Sequence, residues 1–425
     1  MIIHVVKQGE TINSIAESYK ISAERLIQEN EIKNPNKLAV GEALVILYPE
    51  ITYVILEGDT LAGIADAHGV TMMQLLRNNP YLSDREFIYP GETIVISYMD
   101  KKTAKLTVNG YAYPFINRNI LRKTLPYLTY LTIFTHMFTA DGNLIDVDDT
   151  EIIQMAKEYG VAPIMLITPF TDKDTDGIGV THKILIDEGR QDRLIRNITT
   201  NLKTKGYYGF SINTAYIFPN DRQLYVEFVA KITTHLHNAG YKVFDTFSLN
   251  TFELITGIIY QGIDYAKLGQ IIDDAMLLTY EWGYTTGVPS GTTPYETLKN
   301  LLSYSISQIP SEKINIGISK IGYIWELPYR EGISKGQSVD YEHAIELAKE
   351  VGATILYDEV TKVAYFQYIS TVEYVIRFRD ARSVDAFVKL VGEYGLKGIG
   401  IWNIMKFFPQ MWLIINSQYE IEKII

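Results

Sequence analysis

The chain has 425 residues, 47% hydrophobic and 21% charged, with a formal net charge of −11. That length and balance predict a globular protein with a large core, and the acidic balance excludes non-specific nucleic-acid binding, which needs clustered Lys and Arg. With no cysteine, disulfides and thiolate metal sites are excluded, whereas 31 Tyr against 16 Phe supply flat faces with a hydroxyl, suited to sugar stacking and protein interfaces or reflecting compositional drift. The first residues, Met1 to Val6, lack the basic start and long apolar run of a secretory signal, and no run of about 20 apolar residues predicts a membrane span.

The first hundred residues repeat. Val5, Gly9, Thr11, Ile15, Ala16, Leu26 and Asn30 recur at Val54, Gly58, Thr60, Ile64, Ala65, Leu75 and Asn79. One residue further out of step, Gly41, Glu42 and Val45 recur at Gly91, Glu92 and Val95. Each copy reads strand, helix, helix, strand. A β-branched strand (His4 to Val6, Tyr53 to Ile55) meets a Gly-acid-Thr turn whose Thr sits at a helix N-cap. Leu44 to Ile46 and Ile94 to Ile96 close the units. The turns Gln-Gly-Glu-Thr-Ile and Glu-Gly-Asp-Thr-Leu, in tandem, resemble the LysM module, with module 1 at 1–49 and module 2 at 50–99. The resemblance implies binding of N-acetylglucosamine in peptidoglycan or a chitin-like polymer, in a groove between the first turn and the loop before the last strand. Gly9, Glu10, Thr11 and Ile12 would line one groove, and Gly58, Asp59, Thr60 and Leu61 the other. The same Gly and Thr equally serve the turn and cap. Two weak modules in tandem would gain by effective concentration.

A polar linker, Asp100 to Thr103, precedes about 320 residues of alternating strand-like and helical runs. Candidate strands are Thr107 to Tyr113, Leu128 to Met137, Ala162 to Thr168, Gly209 to Ile217, Lys242 to Leu249, Ala275 to Trp282, Ile314 to Tyr323 and Gly398 to Ile404. Helical runs such as Asp148 to Tyr159, Asp192 to Lys205, Arg222 to Ala239 and Ser383 to Tyr394 fall between them. Eight such strands predict an α/β fold, a (β/α)8 TIM barrel over 103–425 after two βααβ modules. A small α+β insertion is expected at about 338–378. Met276 to Tyr284, Gly317 to Tyr329, Phe378 to Ser383 and Gly398 to Asn403 make the barrel similar to family 18 of the glycoside hydrolases, in particular to the spore-cortex-lytic N-acetylglucosaminidases. That resemblance implies sugar subsites at Tyr280, Glu281, Trp282 and Trp402; barrel-rim packing is the alternative for both Trp, and a core position for Tyr280.

The family's fourth-strand signature, DxxDxDxE, ends in the acid that protonates the glycosidic oxygen, and the substrate's own acetamide acts as nucleophile. Here its four positions are Tyr208, Ser211, Asn213 and Ala215. Asn213 can bond an amide but cannot balance a positive oxazolinium, and Ala215 has no proton to give. Loss of general acid catalysis costs roughly 10² to 10⁴ in rate. Asp221 and Asp245 are weaker stand-ins than Glu281. His235 and His237 sit on different helix faces, and Asp172 to Gly177 lacks the Glu of a calcium loop, having Lys183 there. No metal and no cofactor are therefore expected. The expectation is a catalytically inactive glycosidase-like pseudoenzyme with a structural role at the spore coat or cell surface, reached without a classical signal peptide after synthesis in a mother-cell cytoplasm. Two alternatives stand beside it: an active peptidoglycan N-acetylglucosaminidase using a displaced acid such as Glu281, and a self-assembling coat or appendage protein.

Overall fold

The structure, a computed structural model, describes the chain apart from residues 84, 86, 172–176, 214–216, 249–250, 255–256, 261–262, 280–294 and 331–332. Each half of the repeat folds as a two-stranded antiparallel sheet carrying two helices. Module 1 comprises β1 (Ile2–Val5), α1 (Ile12–Tyr19), α2 (Ala23–Asn30) and β2 (Ala43–Ile46). Module 2 comprises β3 (Pro49–Val54), α3 (Leu61–Ala67), α4 (Met72–Asn78) and β4 (Thr93–Tyr98). Thr11, Ser22, Thr60 and Thr71 cap the four helices, each side chain accepting from the N–H three residues on. The recurring Asn pins the closing strand. Asn30 Nδ2 donates to Leu26 and Val45 carbonyls while its Oδ1 accepts from Val45 N at 2.8 Å, and Asn79 repeats this with Leu75 and Val95. A buried amide with both ends satisfied explains why Asn, and no apolar residue, fits there.

The remainder forms the barrel. In chain order its elements are β5 (Ala104–Ala112), α5 (Arg118–Thr124), β6 (Tyr130–Phe138), β7 (Leu144–Ile145), α6 (Thr150–Glu158), β8 (Ala162–Pro169), α7 (Gly177–Leu185), α8 (Glu188–Lys205), β9 (Gly209–Ile212), α9 (Arg222–Asn238), β10 (Lys242–Ser248), β11 (Thr251–Leu254), β12 (Gly257–Tyr260), α10 (Tyr265–Ile271), β13 (Asp274–Leu278) and α11 (Tyr295–Gln308). Then follow β14 (Ile314–Ser319), β15 (Gly322–Leu327), β16 (Gln337–Val339), α12 (Tyr341–Val351), β17 (Leu356–Asp358), β18 (Val363–Ile369), β19 (Glu373–Phe378), α13 (Ala381–Tyr394), β20 (Gly398–Trp402), α14 (Pro409–Gln418) and β21 (Tyr419–Ile421). Strands β5, β6, β8, β9, β10, β13, β14 and β20 pair in parallel, and β20 returns to β5, which closes the cylinder. Inside, Tyr130, Ala162, Ile164 and Phe244 fill the N-terminal end, and Tyr111, Leu166, Met276 and Leu278 the C-terminal end. Gly400 is small because a Cβ there would lie 2.2 Å from the Met276 methyl.

One expected strand is two. The run Ile314 to Tyr323 ends in the barrel at Ser319 and resumes at Gly322 in a separate five-stranded sheet ordered β16-β15-β19-β18-β17. The expected insertion start near 338 therefore falls inside that sheet. A continuous apolar run cannot reveal the change because both sheets bury it. At Gly322 a Cβ would sit 2.6 Å from the Arg377 carbonyl, so the crossing needs glycine.

The modules are built into this body. Ala43, Val45 and Leu47 share one buried cluster with Phe387, Met411 and Trp412, while Ala39 joins the core of the insertion. From module 2, Arg77 donates to the Pro126 carbonyl at 2.9 Å and Tyr127 OH donates back to the Arg77 carbonyl at 2.8 Å. Asn78 and Asn416 bond at 3.0 Å. Among the described residues, no helix is long and apolar enough to cross a membrane.

Candidate active site

The expected strand Gly209 to Ile217 ends at Ile212, so of the signature positions Ser211 lies on β9, with Tyr208 just before it and Asn213 just after. Phe210 and Ile212 pack outward in the core beneath the helices, and Ser211 points into the barrel. Tyr208 packs with Tyr130, Ala162, Ile164 and Phe244 at the N-terminal end of the cylinder, so its ring fills the base, away from the mouth. Ser211 is 2% exposed, and its hydroxyl has no hydrogen-bond partner among the described residues. Asn213 is half-buried at the strand's C-terminal end, its N–H on the Ile167 carbonyl at 3.0 Å. The Thr246 hydroxyl lies 3.0 Å from both Asn213 Oδ1 and the Ile212 carbonyl, which fixes the amide's orientation. Ala215, Tyr280, Glu281 and Trp282 lie outside the described residues.

Trp402, at the end of β20, stands at the mouth. Its ring meets Phe134 at 4.8 Å, Tyr111 at 5.8 Å and Tyr113 at 6.3 Å. Tyr113 stacks in turn on Phe115 at 5.3 Å, and Phe115 is 76% exposed. An open groove of about 590 Å³ runs along this cluster, lined by Tyr113, Phe115, Arg118, Phe134, Thr135 and Asp148 among others. Flat rings and hydrogen-bonding groups lining one groove suit a pyranose, which has one apolar face and polar edges. Sequence reading missed Tyr113, Phe115, Phe134 and Asp148 as a group. Tyr113 and Phe115 follow β5, Phe134 lies within β6 and Asp148 in the loop before α6, and only the pairing of the strands brings them together.

The weighed stand-in acids differ in placement. Asp245 is 1% exposed and takes the Tyr225 hydroxyl at 3.0 Å on the helix side of β10; burial pushes its carboxyl up to about 8. Asp221 is held by His182 at 2.8 Å. Neither lines the aromatic groove. Among the described residues Asp148 is the carboxylate that does, and it is exposed.

In the modules, the acid of each Gly-acid-Thr turn braces its own turn. Glu10 accepts from Lys7 N at 2.7 Å and lies 2.9 Å from His4 Nε2; these partners hold its carboxyl below the usual range, the Lys7 bond first. Asp59 accepts from Leu56 N at 2.7 Å and Tyr53 OH at 2.9 Å. Thr11 and Thr60 are occupied as helix caps. Ile12 is 6% exposed in the module 1 core, so its side chain does not line the groove, whereas Leu61 is half-buried. Gly9 and Gly58 have φ of 82° and 88° and open space where a Cβ would be.

The LysM domain model matches residues 4–47 and 53–97, and the model for glycosyl hydrolases family 18 matches residues 180–406, more than half of the chain. The chain is similar to the cortical fragment-lytic enzyme of Bacillus subtilis (strain 168), with 30% identity over 100% of this chain and 99% of that protein. It shares 28% identity with the cortical fragment-lytic enzyme of Bacillus anthracis, over 99% of each. Among solved structures, the spore cortex-lytic enzyme SleL of Bacillus megaterium QM B1551 superposes with a TM-score of 0.82 at 28% identity, covering 100% of this chain and 99% of that one. These relatives overturn the expectation of a pseudoenzyme with a structural role, because proteins aligned with this chain from end to end are named as lytic enzymes. That expectation rested on the fourth-strand signature, and took the acids lost at Asn213 and Ala215 to mean a lost activity. With its closed parallel barrel, its match to the family model and its end-to-end similarity to the cortical fragment-lytic enzyme, the chain belongs to family 18 of the glycosyl hydrolases.

Proposed function

We propose that this protein is a spore-associated glycosidase that cleaves N-acetylglucosamine-containing peptidoglycan, cortex fragments above all, with a proton donor displaced from Ala215. The observation that carries this reading is the full-length similarity to the cortical fragment-lytic enzyme. The open groove beside Trp402 supports it, since it offers a sugar platform that no described side chain fills. Asn213, steadied by Thr246, orients an acetamide but supplies no charge to a developing cation. A slow enzyme follows, with transition-state charge weakly balanced. Glu281 is the first candidate for donor, on the motif Met276 to Tyr284, and Asp148 in the groove wall is the second.

Purified protein incubated with cortical fragments should release reducing ends. Glu281→Gln should lower that rate roughly 10² to 10⁴-fold, the usual worth of a general acid. If Asp148→Asn carries that loss instead, Asp148 is the donor. Asn213→Asp with Ala215→Glu should raise the rate by restoring the family's own acid pair. No release of reducing ends by wild-type protein, under conditions where the Bacillus subtilis enzyme acts, would sink the reading.

A further inference from the structure

The two modules repeat each other closely, yet their matching loops meet opposite surroundings. In both, the loop before the last strand lies beside the turn after the first. Gly41 N donates to the Val6 carbonyl at 2.7 Å and Val6 N to that of Glu42 at 2.9 Å; Gly91, Ile55 and Glu92 repeat this at 2.8 and 2.9 Å. In both, the acid folds back on its own loop, Glu42 onto Ala39 N at 3.0 Å and Glu92 onto Tyr89 N at 3.2 Å.

There the likeness ends. The module 1 loop is sealed against the barrel's insertion and α13. Ile355 N donates to the Val40 carbonyl at 2.8 Å, and the Arg382 guanidinium to that of Gly41 at 3.2 Å. Ala39 is 4% exposed, and a Cβ at Gly41 would fall 1.9 Å from the Ile355 carbonyl oxygen. Glu42, also 4% exposed, faces Lys349 of α12 at 4.0 Å. In module 2 a Cβ at Gly91 would meet no described atom within 4 Å, and Glu92 pairs locally with Arg85 at 2.7 Å. Three large apolar side chains stand open there: Leu56, 60% exposed, Phe87, 63%, and Tyr89, 58%. Their counterparts in module 1 are Lys7, Lys37 and the buried Ala39.

We propose that the repeats have divided their work: module 1 is a clamp that holds the insertion on the barrel, and the glycan-binding face is that of Leu56, Phe87 and Tyr89 on module 2. The inference rests on the reading of this protein as acting on an N-acetylhexosamine glycan, and it names which copy holds the strand. The occupant is a neutral N-acetylglucosamine strand. Two aromatic rings offer flat apolar faces to pyranose rings, none of the three side chains carries a charge, and the open Gly58 turn leaves its backbone within reach of an acetamide. A single exposed site also removes the avidity that two working modules would supply.

Titration calorimetry of the full chain with an N-acetylglucosamine hexamer tests this, counting the module site and the barrel cleft separately by stoichiometry. Phe87→Ala with Tyr89→Ala should remove one site or weaken it tenfold or more. Asn36→Ala with Lys37→Ala, exposed on the module 1 loop, should leave binding unchanged. Loss of a site in the module 1 variant, or unchanged binding in the module 2 variant, overturns the proposal. So does a module 2 variant that keeps hexamer binding but loses wild-type self-association in sedimentation, which would make the face a contact between copies. All four substitutions are at the surface, and unchanged melting temperatures verify folding. The hydrolysis reading fails or stands on reducing-end release, which this titration does not use.

Discussion

Asp245 shows how little the presence of a carboxylate on a barrel strand says about catalysis. Register decides its direction: opposite Ile212 and Ala275 it turns to the helix layer, onto Tyr225, while its neighbour Thr246 turns inward onto Asn213. Burial raises its pKa from 3.8 to about 8, so the folded chain holds a proton that the unfolded chain releases in that interval. Its contribution to stability is therefore full below about pH 4 and is lost as pH rises towards 8. Asp245→Asn keeps an acceptor for Tyr225 and has no charge to bury. It should stabilise the protein at pH 8 by about 1–3 kcal/mol, with the gain shrinking by pH 5, read as melting temperature against pH. A wild-type protein at least as stable at pH 8 would count against this account. At this scale the sequence reveals which residue types stand at the signature positions, Ser211 and Asn213 among them. It cannot reveal partners such as Tyr225, which lie on another element.

Equivalent residues of repeated elements give a cleaner comparison than any single site. Gly41 and Gly91 both have φ near +90°, at 85° and 92°, so alanine at either carries the same backbone strain of about 1 kcal/mol. Only Gly41 presses on Ile355. Gly41→Ala should therefore cost about 1–3 kcal/mol more than Gly91→Ala, measured by denaturant unfolding of the two variants side by side. Equal costs would mean that the module 1 loop is not held as described. The βααβ order of the modules, the caps at Thr11 and Thr60 and the helical run Arg222 to Ala239 were all legible from local pattern. The break between β14 and β15 was not, because hydrophobicity reports burial and not which sheet a strand joins.

For the whole molecule, modules and barrel form one packed unit. Leu47, beyond the end of β2, is fully buried in the cluster that also holds the barrel's strands and α14. Leu47→Ala should cost about 2–5 kcal/mol and lower the melting of the entire chain, seen in calorimetry as one shifted transition. A small early transition that leaves the barrel peak in place would argue that the modules are tethered beads. The same joint burial changes how function is read. A reading of the fourth-strand signature alone gave undue weight to Asn213 and Ala215, whereas the mouth is assembled from Tyr113, Phe115, Phe134 and Trp402, brought together from different strands. The sequence by itself determined the repeat, the eight-stranded barrel and the family, because these follow from periodicity and local motifs that each segment carries alone. Only the tertiary structure decided which of the described acids faces the groove and which LysM loop stays open, because those properties depend on what the closed barrel and its insertion press against each chain segment.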